Sequence, residues 1–264
     1  MRARVAAKLA NTEYAIYHSP EETRRIPFGF FVQIPDFPTR WDANQMFSVR
    51  CKEHQSQDFL TFLDSLYKAS GIRFRKLALH HPATAAHLIP TLREAGWDCR
   101  RHLMMTLDDL HDSPADTRFS IRRVDSHSAE LNQIYEDNEE LRYRRSQDAR
   151  LGGEVLIAET AGVPVGATGW FAVDGIARFR LIETLPQYRR CGVATALVRY
   201  VAQRTRSEGI RTLCLHCPET GPQSLYAKLG FKTQGELWYC VLLEQREPTT
   251  GDRLKRAVNY PPAR

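Results

Sequence analysis

The chain has 264 residues, of which 42% are hydrophobic and 26% charged, with a formal net charge of +6. That length suggests about two domains, and the composition is that of a globular chain rather than a collagen-like or disordered one. No apolar run approaches the ~18 residues of a membrane-spanning helix, and the basic excess favours anionic ligands without naming one.

The start, Met1-Arg2-Ala3-Arg4-Val5, leads into Lys8, Asn11 and Glu13 rather than an apolar stretch, so no export signal is expected. Strands are expected at 28–34 and 45–49. The aromatic and polar loop between them, 35–44, reads as a Pro-stiffened surface connection that could line a cleft. Phe59, Phe62, Leu63, Leu66 and Tyr67 follow i, i+3, i+4, i+7, i+8 and mark an amphipathic helix. A strand at Leu77-Ala78-Leu79, a helix closed near Ala95-Gly96 and a further strand come next. The polar, turn-rich run His111-Asp112-Ser113-Pro114-Ala115-Asp116 is the expected domain boundary. Beyond it come a strand at 119–124, a polar helical region at about 129–145, and strands at 155–159 and 165–171 around the turn 161–164. Asp174-Gly175 is a tight turn into a strand at 177–184. From Pro248 onward the composition is that of a loose tail.

Two stretches repeat each other. Gly71-Ile72-Arg73, Leu77-Ala78-Leu79-His80-His81-Pro82 and Gly96-Trp97 recur as Gly209-Ile210-Arg211, Leu213-Cys214-Leu215-His216-Cys217-Pro218 and Gly230-Phe231. Each follows an amphipathic helix, the second carrying Val193, Ala196, Leu197, Tyr200 and Val201 at the same spacing. The shared order points to a duplication. Among the six cysteines only Cys214 and Cys217 have C-x-x-C spacing. Their strand-like setting turns them to opposite faces, so no metal site is expected. Unpaired thiols fit a reducing, cytoplasmic setting.

The chemistry is expected between Ile182 and Thr195. Here a strand (Ile182, Glu183, Thr184, Leu185) runs through a short loop (Arg189, Arg190, Cys191, Gly192) into a helix beginning Val193-Ala194-Thr195. A helix N-terminus leaves backbone N–H groups unpaired and carries partial positive charge. Gly192 allows close backbone approach, and the two arginines add charge, so the segment could cradle a pyrophosphate. It matches neither G-x-x-x-x-G-K-[ST] nor G-x-G-x-x-G.

The pattern Pro186-x-x-Arg189-x-x-Gly192-x-Ala194 resembles the signature of the GNAT superfamily of acyl-CoA-dependent N-acetyltransferases. A second family element follows at Leu225-Tyr226-Ala227-Lys228-Leu229-Gly230-Phe231. The resemblance covers about 119–243, and the first half looks like a decayed copy, as in tandem members. It implies a mixed α/β (α+β) fold with two GNAT-like mixed sheets flanked by helices. The implied domains are a degenerate one at 1–112, a catalytic one at 113–247 and a tail at 248–264. The implied activity is transfer of an acetyl or related acyl group from acetyl-CoA to a primary amine, by direct attack and without a metal. Ile182, Thr184, Leu185 and Arg189 to Thr195 would bind the cofactor, including Arg190, Cys191, Gly192, Val193 and Ala194. Tyr226 would protonate the leaving thiolate, and Glu183 would take the amine's proton, with His216 and Glu159 as alternative bases. Glu183 could equally pair with Arg178 or Arg180.

Two departures stand out. Glu219 occupies a place where the family often has Asn, and Pro222 one where Ala is common, which suggests a shifted helix start. The first half has no Gly in 50–57 and no tyrosine matching Tyr226, so it reads as a scaffold or acceptor-binding partner. The expected acceptor is a small-molecule or peptide amine; no membrane partner is expected, and a nucleic-acid partner is disfavoured. The alternative is a non-catalytic acyl-CoA-binding or protein-interaction module.

Overall fold

The computed structural model describes residues 2–17, 22–108, 118–135, 143, 147, 150–180 and 182–243. The boundary expected at 111–116 and the tail from 248 lie outside these. So does most of the polar helix expected at 129–145, of which Leu131–Ile134 is helical.

Twelve strands form one mixed sheet flanked by helices. The first half supplies β1 (Thr23–Ile26), β2 (Gly29–Gln33), β3 (Asn44–Phe47), β4 (Phe74–Leu79) and β5 (Asp98–Leu107). The second supplies β6 (Ser120–Val124), β7 (Glu154–Thr160), β8 (Val163–Val173), β9 (Ile176–Phe179), β10 (Glu183–Thr184), β11 (Thr212–Pro218) and β12 (Lys232–Leu243). The order is β1-β2-β3-β4-β12-β5-β11-β9-β8-β7-β6, with β10 paired to β8. The last strand of each half is therefore exchanged: β12 lies between β4 and β5, and β5 pairs with β11 of the second half. The two half-sheets run into one another without an edge between them.

The helices whose bounds are described are α1 (Arg2–Tyr17), α2 (Ser56–Ser70), α3 (Pro82–Glu94), α4 (Leu131–Ile134), α5 (Val193–Ser207) and α6 (Gln223–Lys228). Helix α2 buries Phe59, Leu63, Leu66 and Tyr67, and α5 buries Val193, Ala196, Leu197, Val198 and Val201. These are the stripes their spacing dictates. One core joins α2 and α3 to β2–β5 and β12, and a second joins α5 to β5, β7–β9 and β11. On the opposite face of the sheet, Leu9 of α1 packs with Phe47, Ala78, Met104, Ile176, Cys214 and Leu237. Cys214 and Cys217 lie in cores on opposite faces, as strand alternation requires.

Helix α1 is held by a buried ionic cluster. Arg178 of β9 donates to Glu13, as does the Tyr239 hydroxyl of β12, and Arg178 also donates to Thr12 Oγ1 at 3.2 Å. His216 of β11 lies between them, with Nε2 2.8 Å from Arg178 and Nδ1 3.1 Å from Glu13. Burial pushes the Glu13 carboxyl up, but Arg178, His216 and Tyr239 together outweigh it and hold the acid well below its usual range. Burial, with Arg178 beside it, lowers His216 to about 4. Burial likewise lowers His80, near Arg50, and His102, near His216 and Lys76, to about 4.

This fixes the pH dependence of stability. An imidazole depressed from 6.5 to about 4 takes up a proton in the unfolded chain first, so stability falls as pH drops from about 6.5 to 4. Glu13 adds stability that is present above its ordinary value and lost as pH falls through its lower folded one. The melting temperature should therefore decline steeply from pH 7.5 to 4.5, a loss on the order of a few kcal/mol. A flat melting temperature across that range would show that these histidines are not buried in neutral form.

Candidate active site

The strand expected to run through 177–184 is broken in two. Strand β9 pairs with β11 in parallel only at Ile176↔Thr212, Ala177↔Leu213 and Arg178↔Cys214. Beyond Arg178 the chain leaves β11 but stays on β8, which β9 already pairs from Val173↔Ile176 to Trp170↔Phe179: Arg180 N–H donates to Gly169 O at 2.7 Å, β10 pairs with Ala167 and Gly166, and Leu185 N–H donates to Val165 O at 3.0 Å. Strand β11 continues along β5 to Pro218↔His102. The two strands thus fork, leaving β11 from Leu215 to Pro218 without a strand on its β9 side among the described residues.

Gly166 lets the start of α5 and β10 pack close against β8. A Cβ there would meet Val193 Cγ1 at 2.6 Å and Glu183 O at 2.8 Å. The signal was in the sequence, since a glycine inside a strand marks close backbone approach. Gly166→Ala should cost about 1–3 kcal/mol and displace β10 from the start of α5. A variant with the parent melting temperature would show that the contact of Gly166 with Val193 and Glu183 has room to spare.

The loop after β10 carries Arg189, Arg190 and Cys191, all exposed, and ends on Gly192 at φ 99°. Arg190 also lies in the left-handed region, at φ 63°. Gly192 is the N-cap of α5, with no side-chain capping bond and no acid in the first turn. Ala196 N–H reaches back to Gly192 O, so the N–H groups of Val193, Ala194 and Thr195 precede the first helical bond. The last turn carries Arg204 and Arg206, in keeping with the helix dipole. The residues at the start of α5 therefore fit an anionic, phosphate-bearing group.

Tyr226 lies on α6, which starts at Gln223 after Pro222 as its N-cap. The ring is 9% exposed and packs edge-on to Phe231 at 5.8 Å, in the core that includes Leu215 and Cys217 on the free part of β11. Burial raises its phenol to about 12, with Cys217 adding to the shift. Glu183, half-buried, accepts from Thr184 N–H at 3.2 Å and lies 3.5 Å from Arg189 Nη2. Neither Arg178 nor Arg180 pairs with it: Arg178 holds Glu13, and Arg180 donates to Gln147. His216 lies within the α1 cluster, and Glu159 is bonded to Arg122. Ile182, Thr184 and Leu185 are half-buried in β10 and its flanks. Among the described residues no group of His, Cys, Asp or Glu could hold a metal ion, and no helix is long and apolar enough to cross a membrane.

Residues 152–233 match the family model for an acetyltransferase (GNAT) domain. Acetyl-CoA-dependent N-acetylation is the general reaction of that family. The probable N-acetyltransferase 14 of Danio rerio is 30% identical over 120 residues, 44% of this chain and 42% of that protein. The chain thus spans less than half the length of that curated relative. A GCN5-related N-acetyltransferase from Kribbella flavida shares the fold over 91% of this chain and 95% of its own, with TM-score 0.63 and 17% identity. A tandem GNAT protein from the clavulanic acid biosynthesis pathway does so over 78% and 75%, with TM-score 0.53 and 14% identity.

Proposed function

We propose that the chain transfers an acetyl or related acyl group from acyl-CoA to a primary amine, at the fork between β9–β10 and β11. The observation that carries this reading is the fork itself, opening beside a helix start that has no capping side chain. Arg189, Arg190 and the N–H groups from Gly192 to Thr195 bind the CoA diphosphate. The backbone of 182–185 pairs with the pantetheine arm. The catalytic unit is 113–247, and 1–112 supports it.

The amine nitrogen attacks the thioester carbonyl, the C–N bond forms and the C–S bond breaks. Tyr226, kept protonated by burial, gives its proton to the departing thiolate. Glu183 takes the proton the amine loses, directly or through water. Its tether to Arg189 links this base to the diphosphate loop. The acceptor is a small-molecule or peptide amine.

The test is a panel of primary amines mixed with acetyl-CoA while thiol release is followed. Acceptor-dependent release supports the reading. Tight acetyl-CoA binding with no release above background for any amine favours a non-catalytic acyl-CoA-binding module instead.

A further inference from the structure

The first half repeats the fork. Strand β3 pairs in parallel with β4 only at Met46↔Leu77 and Phe47↔Ala78, and Ser48, at φ 53°, then turns away. Arg50 N–H donates to Phe28 O at 2.8 Å, as Leu185 N–H donates to Val165 O in the second half. Gly29 lies where a Cβ would meet Phe47 O at 2.7 Å, as one at Gly166 would meet Glu183 O.

The phosphate cradle is not repeated. Helix α2 is entered through a tight turn at Glu53–Gln55, where Lys52 N–H donates to Gln55 Oε1 at 3.2 Å and Ser56 Oγ donates to Glu53 O at 2.7 Å. Glu53 and Asp58 add negative charge there, which repels a diphosphate.

A cleft of about 650 Å³ opens instead beside this fork, on the β1–β2 hairpin and the segment that leaves β3, lined by Arg25, Phe28, Phe30, Ser48 and Arg50 among others. Arg25 and Arg50 are exposed, and neither has an ion pair among the described residues. Close by, the Tyr14 hydroxyl is hydrogen-bonded to His80. Burial keeps both uncharged: it raises the phenol, and it lowers the imidazole to about 4, with Arg50 adding to that shift. They leave the guanidinium charges unneutralised. Both guanidinium groups thus line a cleft of ligand size, where their planar N–H donors are open to an anion.

We propose that this cleft beside the fork of the first half binds a small anion, a carboxylate or phosphate monoester on a flat apolar body, held by Arg25 and Arg50 against Phe30. Guanidinium forks suit either anion through paired N–H···O contacts. The site is separate from the diphosphate loop and stands whether or not acyl transfer is found.

Titration of the full chain at low salt with benzoate, phenyl phosphate and neutral benzamide tests this. Saturable binding of benzoate or phenyl phosphate is expected, with none for benzamide, and the stronger of the two identifies the anion. Arg50→Ala and Arg25→Ala should each weaken binding about tenfold or more, and saturating acetyl-CoA should leave it in place. Both arginines are exposed, so the variants should fold, and melting curves check this. Absence of saturable anion binding would overturn the proposal. Equal affinity in either folded variant, or competition by acetyl-CoA, would do the same.

Discussion

Replacing Gly192 by leucine is expected to weaken acetyl-CoA binding by about 100-fold or more. Two effects combine. At φ 99° a side chain is strained, at about 1–3 kcal/mol, and the start of α5 relaxes to relieve it. The new side chain also stands where the diphosphate must approach the N–H groups of Val193 and Ala194. Losing two charge-assisted hydrogen bonds of about 1.5–3 kcal/mol each gives a change of that size. Calorimetry on the folded variant checks it, and unchanged affinity would remove the diphosphate loop from the account.

Tyr226→Phe should lower turnover by about 100- to 10,000-fold while acetyl-CoA binding survives. The ring keeps its packing against Phe231, and only the proton donor goes. A phenol raised to about 12 remains protonated throughout the neutral range, so the parent should lose no activity through Tyr226 below about pH 11. Binding and turnover must be measured on the same preparation. Equal turnover in the variant would reject Tyr226 as the acid.

Much of the second half was legible because its signals are local. The apolar stripe of α5, Gly192 at its start and the Gly-Phe after α6 each act through neighbours a few residues away. The repeated strand–helix–strand units, β4–α3–β5 and β11–α6–β12, were legible for the same reason.

What escaped the sequence depends on partners far along the chain. Helix α1 has no clean apolar stripe, since its buried face includes Thr12 and Glu13 beside Leu9 and Ala10. Glu13 reads as a solvated acid until Arg178, His216 and Tyr239 surround it. The exchange of β5 and β12 rests on pairings such as Cys240↔Cys99, which no local pattern encodes. The break between β9 and β10 was missed because an apolar-rich run reads as one strand. Gly166, on the neighbouring strand, marks where α5 and β10 approach β8 closely.

The most direct test of the central claim is the stoichiometry of acetyl-CoA binding to the intact chain. The forked strand is present twice, but only α5 begins with a glycine N-cap and no acid in its first turn, whereas α2 has Asp58 there and Glu53 just before it. A calorimetric titration should therefore give one site per chain. Two equivalent sites, or none, would contradict it.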